Sequence, residues 1–234
     1  DAALEIAYEL DNRACDHRIR LLVDTGLSSA VSVADTPFDI QYSGADVHFP
    51  GTMSPTLPNT TFAAIEADGR CVAVLTEGTH EYEHLEDSTL AFTLVRSTGV
   101  ISRDHGTHKV SNGVQWNCPD NQCLRVLSGR LGLAVCSGSV ISAGVPQQAK
   151  AFRNPLMPFF TSCDSRKFAG GRTAVQDTKL EEFFYLPDPY AHTTVPDNAS
   201  FAAATGEGIF LSAMKKAESG EGLILRYVNL TDET

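Results

Sequence analysis

The chain has 234 residues, 42% of them hydrophobic and 20% charged, which supplies a packed core and excludes a disordered or fibrous class. Its formal net charge of -11 argues against nucleic acid and against membranes as partners, because an acidic surface repels phosphate. No stretch is apolar for long enough to span a bilayer as a helix, and the length suits one large all-β domain or two ordinary ones.

Along the chain the dominant period is two. Leu4, Ile6, Tyr8 and Leu10 alternate with Glu5 and Glu9, and Ile19, Leu21 and Val23 alternate with Arg18, Arg20 and Asp24. Alternation puts the apolar side chains on one face of a pleated strand, so both segments read as half-buried strands. Further strands are expected over 30–35 and 61–66, and Ala67-Asp68-Gly69 signals a turn. Val72-Ala73-Val74-Leu75 is apolar on both faces and predicts a strand covered from both sides. Leu90, Phe92 and Leu94 share a face of the strand over 89–95, which Arg96 ends. Strands follow over 130–136 and 209–214 and at Leu223-Ile224-Leu225, the last again apolar on both faces. Helix is expected for a turn or two only, at 147–152 and 179–184, and long loops at about 96–119, 137–172 and 186–207. Many strands with few helices predict two large antiparallel sheets packed face to face.

Six scattered cysteines, Cys15, Cys71, Cys118, Cys123, Cys136 and Cys163, include no C-x-x-C pair and read as reduced thiols of an intracellular protein. The sequons at Asn59, Asn198 and Asn229 read as chance occurrences. Because the chain opens on Asp1 inside strand-like sequence, it is expected to be part of a longer protein.

Candidates for chemistry are few. His105 and His108 lie in a loop with no helix to align them. His80 and His84 share a strand face but stand about 13 Å apart along it, too far for one metal, and read as exposed. Glu77, Glu81, Glu83, Glu86 and Asp87 form an acidic run that reads as a solvated sheet face rather than as a pair of catalytic carboxylates. No nucleophile elbow, phosphate loop or dinucleotide fingerprint occurs. Trp116, the only tryptophan, either caps the end of the sandwich or offers a ring to a sugar. Arginines and aspartates gather at strand ends, among them Asp16, Arg18, Arg20, Asp35, Asp39, Arg96, Arg103 and Asp104. Ion pairs at a domain interface, or sugar hydroxyls, would use such residues.

Six segments then carry a resemblance in the correct order: DHRIRLLVDTG (16–26), ADTPFD (34–39), the long run 73–103, CPDNQCLR (118–125), AGVPQQAKAF (143–152) and 211–230. Together they resemble the C-terminal region of glycoside hydrolase family 38, the α-mannosidases, in its bacterial branch. The resemblance implies an antiparallel, mutarotase-like super-β-sandwich, with residues 1–234 as one C-terminal domain. It also implies a separate N-terminal catalytic domain, absent from this chain, that holds the Asp nucleophile and a zinc ion for retaining hydrolysis of terminal α-mannosides. This chain would then carry no cofactor, metal ligand or catalytic residue. Its role would be structural and at the rim of the cleft, where Arg96, Arg103 and Asp104 are the expected rim residues. The implied partners are the chain's own catalytic domain and a mannose-containing carbohydrate, in the bacterial cytoplasm. The segment 105–117 departs from the family pattern. The alternatives are a stand-alone carbohydrate-binding module using Trp116 and the loop arginines, and an independent mutarotase-like enzyme, which would need a converging His and carboxylate.

Overall fold

The computed structural model describes residues 3–29, 31–44, 55–85, 88–101, 116–157, 205–206 and 208–231. These belong almost wholly to one unit, Asp1–Pro155 with Ala204–Thr234; of the second unit, Leu156–Ala203, only the first two residues are described.

The period-two segments all become strands. In the first half these are β1 (Leu4–Asp11), β2 (Arg18–Asp24), β3 (Val31–Thr36), β4 (Asp39–Gly44), β5 (Thr56–Pro58), β6 (Phe62–Ala67) and β7 (Arg70–Thr76). There follow β8 (Glu81–Leu85), β9 (Thr89–Arg96), β10 (Val100–Ile101), β11 (Trp116–Asn117), β12 (Val126–Ser137), β13 (Ile209–Lys216) and β14 (Leu223–Asn229). The longest helix among the described residues is α1 (Val145–Arg153), which meets the expectation at 147–152. The expected helix at 179–184 lies outside the described residues.

A six-stranded sheet in the order β1-β12-β7-β6-β3-β4 packs on a four-stranded sheet in the order β2-β9-β8-β5, and every pairing in them is antiparallel. The β6–β7 hairpin turns through Asp68 and Gly69 at φ 51° and 68°, the left-handed pair that a two-residue connection between twisted strands requires.

β7 is covered on both faces, as its sequence predicts. Val72 and Val74 join Ala63, Ile65, Leu131 and the inward residues Tyr82, Leu90 and Phe92 of the smaller sheet. Cys71, Ala73 and Leu75 point the other way, into a second core that Val145 and Ala149 of α1 help to close. In that core Cys71 stands opposite Cys136 on β12, and burial, with Cys136 second, pushes its thiol pKa up to about 12. Such a thiol is inert. Cys15, Cys71, Cys118, Cys123 and Cys136 are all free.

Two expectations are corrected. Leu223-Ile224-Leu225 is apolar on both faces yet exposed on both, with Leu223 at 69%. The reason is pairing: β13 and β14 form a two-stranded ribbon of their own, which no second layer of the sandwich covers among the described residues. His84 is buried rather than exposed, at 6%. It lies opposite Leu90 on β9 and two residues from Tyr82, so strand parity turns it into the inter-sheet core.

Candidate functional site

The four-stranded sheet turns its charged residues away from the core. Arg20 is opposite Thr93, Glu83 is opposite Ala91, and Arg18 is opposite Arg96. Because directly opposed residues share a face, one row of arginines meets one row of glutamates. Glu81 accepts from Arg18 at 2.9 Å, from Thr93 Oγ1 at 2.7 Å and from Arg96 at 3.1 Å. Arg20 donates to Glu83 at 2.5 Å, and Arg18 Nε donates to Thr93 Oγ1 at 2.8 Å. Of the acidic run, Glu81 and Glu83 thus belong to a charge-matched lattice rather than a bare solvated face, while Glu86 and Asp87 lie outside the described residues.

Arg96 stands between two open grooves. One, of about 580 Å³, is lined by Asp16, His17, Arg18 and Arg96 with Ser97, Thr98, Val100 and Ile101. The other, of about 660 Å³, lies by the β7–β8 turn and includes Tyr8, Glu77, His80, Glu81 and Arg96.

A buried polar clasp fixes the first groove. Asn12 Nδ2 contacts Ser97 Oγ at 3.2 Å and the carbonyls of Gln122 and Cys123 at 2.9 and 3.0 Å. Gln122 Oε1 accepts from the Asp16 amide at 2.8 Å, and its Nε2 donates to Asp16 Oδ1, which also takes the Gly99 amide. A Cβ on Gly99 would come within 2.5 Å of Gln122 Nε2, so a side chain there would displace the Gln122 amide from the clasp. The clasp joins three chain segments and holds the backbone on which Arg96 sits. Nothing in the sequence pattern marks Asn12 or Gln122, because Asn12's side-chain partners are 85 to 111 residues away and Gln122's side-chain partner Asp16 is 106 away.

Of the expected rim residues, Arg96 is on the groove, whereas Arg103 and Asp104 lie outside the described residues, as do His105 and His108. Trp116 is 63% exposed on β11 and pairs with Ile101, a groove residue, so it presents a ring rather than capping the core. Asp35 braces the fold instead, accepting from the amides of Thr60, Thr61 and Phe62 and from the Thr61 hydroxyl.

The zinc that the resemblance implies finds no fitting donor set in this part of the molecule. Among the described residues no three His, Cys, Asp or Glu side chains converge. His84 faces an apolar core, and His80 Nδ1 lies 3.3 Å from the Asn59 carbonyl. Glu77 is unsuited to act as an acid, since the hydrogen bond from Arg130 holds its carboxyl below the usual range.

No family model matches the chain. It is 27% identical, over 97% of its length, to a protein of Halalkalibacterium halodurans named "Putative mannosylglycerate hydrolase", and it spans about a fifth (21%) of that relative. Its fold matches an α-mannosidase from Enterococcus faecalis V583 with a TM-score of 0.74 at 21% identity, covering 99% of this chain and 22% of the other. A glycosyl hydrolase family 38 protein from Enterococcus faecalis matches with a TM-score of 0.73 at 21% identity, over 100% and 23%. The resemblance read in the sequence therefore holds along the whole chain, and the all-β sandwich with it.

Proposed function

We propose that this chain is the accessory β-sandwich of a family 38-type α-mannosidase, a C-terminal domain that supports a catalytic domain carried elsewhere in a longer protein. The observation that carries this reading is the coverage: the whole chain matches about a fifth of each relative. The remaining four-fifths of those proteins leaves ample room for a separate catalytic body with its own zinc. Residues 1–234 would act as one unit of support, with Arg96, Arg103 and Asp104 at the rim of the cleft and a mannose-containing glycan as the substrate of the whole.

Two features of the surface support it. The β13–β14 ribbon exposes Met214, Leu223, Ile224, Leu225 and Tyr227, a clustering of large apolar side chains that commonly marks an interface. The glutamates that would otherwise offer a catalytic pair are engaged by Arg18, Arg20 and Arg96. Hydroxyl-radical footprinting tests the docking role. Met214 and Tyr227 should be labelled several-fold less in the full-length protein encoded by the gene than in the chain alone. Equal labelling in both would overturn it.

The exposed Trp116 beside a groove favours a second reading, a carbohydrate-binding module that acts alone. Under that reading the ribbon stays labelled in every context.

A further inference from the structure

Tyr8 on β1 and Gly129 on β12 are opposed in register. A Cβ built on Gly129 would lie 2.4 Å from the Tyr8 hydroxyl oxygen and 2.5 Å from its Cζ. The missing side chain is what lets the phenol ring lie across the neighbouring strand, as aromatics do over cross-strand glycines. Gly129 of β12 thus lies under the half-buried ring, which packs in part against the inter-sheet core and borders the 660 Å³ groove by the β7–β8 turn.

Around that ring stand groups of both signs. Glu77, paired with Arg130, and Glu81, paired with Arg18 and Arg96, line it with carboxylates, and Arg96 adds a guanidinium 3.1 Å from Glu81. An anionic ligand would meet two carboxylates and a cationic one would meet the guanidinium, whereas a neutral polyol can use both. A pyranose ring carries C–H groups on one face and hydroxyls around its edge. It therefore fits an aromatic surface rimmed by paired donors and acceptors.

We infer that the groove at Tyr8 binds a neutral hexopyranose, with its C–H face on the phenol ring and its hydroxyls shared among Glu77, Glu81 and Arg96. The site is distinct from Trp116 and from the clasped groove on the other side of Arg96. The inference rests on the accessory-domain reading only for the choice of mannose among hexoses.

The test is saturation-transfer NMR on the purified chain with methyl α-mannopyranoside and methyl α-glucopyranoside as probes. Transfer should reach the ring C–H protons of at least one of them. Tyr8→Ala should weaken binding roughly tenfold or more, since the aromatic contact is lost. Arg96→Ala, at a mostly exposed side chain, should weaken it by a smaller factor. That variant decides the matter should Tyr8→Ala melt below the temperature of the experiment. Trp116→Ala should bind as the parent does. No transfer from either sugar would overturn the site, and so would binding that survives both Tyr8→Ala and Arg96→Ala. Loss in Trp116→Ala with Tyr8→Ala intact would move the site to β10–β11 and also overturn it. Binding of glucoside but not mannoside would sustain the groove while removing its support for the mannosidase reading.

Discussion

Buried against Leu90 and Tyr82 with an unpaired Nδ1, His84 resists a proton that the unfolded chain accepts. Burial lowers its pKa, so the folded state binds fewer protons than the unfolded state below the ordinary histidine range. The stability it contributes is fully present above about pH 6.5, the unfolded value, and is lost as pH falls from there to the folded value. Urea melts should show wild-type stability dropping across that window and His84→Leu dropping less. Identical pH profiles would mean that His84 is protonated at little cost in the fold. The residue was legible by parity alone: in Glu81-Tyr82-Glu83-His84 the second and fourth positions share a face, and Tyr82 is buried. Spacing to His80, the feature that draws the eye when metal ligands are sought, is irrelevant to its place.

Elements differ in how much of their setting the chain announces. β7 reads as a two-faced strand and is one, because the four-stranded sheet covers one of its faces and α1 helps to close the other. β14 has the same local pattern and lacks that cover, since only β13 pairs with it among the described residues. Local sequence states that a face is apolar; it does not state what will lie on it. The polar clasp was wholly illegible for a related reason, as Asn12, Ser97 and Gln122 meet only after three distant segments assemble. Its energetic weight should exceed that of the visible charges. Asn12→Ala removes one of two donors from each of the Gln122 and Cys123 carbonyls, which Ser97 Oγ and the Arg125 amide still serve, and should cost about 1–2 kcal/mol. Arg96→Ala removes an exposed ion pair from a glutamate that Arg18 still holds, and should cost less than about 1 kcal/mol. Chemical denaturation of both variants checks the order, and a reversed order would show that the clasp is dispensable. High salt should narrow the gap between wild type and Arg96→Ala, because screening acts on the exposed pair alone.

At the scale of the whole molecule, the described residues build a sandwich in which Glu77, Glu81 and Glu83 are committed to ion pairs, as the proposed accessory role expects. Retaining hydrolysis needs a nucleophile and an acid about 5 Å apart across the scissile bond, with the acid protonated at working pH. Here Glu77 is held ionised by Arg130, and Glu81 and Glu83 neutralise arginines. The groove proposed to bind a sugar has Tyr8 and Arg96 on its walls, and under the proposed reading it would hold a sugar without cleaving it. The fold and its antiparallel layers were written in period two, and the family region in six ordered segments. The proposed division of labour with a larger body was already implied by that resemblance, and the small share of each relative that the chain covers supports it. The decisive measurement is turnover of p-nitrophenyl α-mannoside by the purified chain, with and without added zinc, beside a full-length family 38 enzyme as control. No release of p-nitrophenol above the buffer rate is the predicted result. Release that rises in proportion to chain concentration, and disappears in Arg96→Ala, would contradict an accessory role and place an active site on this sandwich.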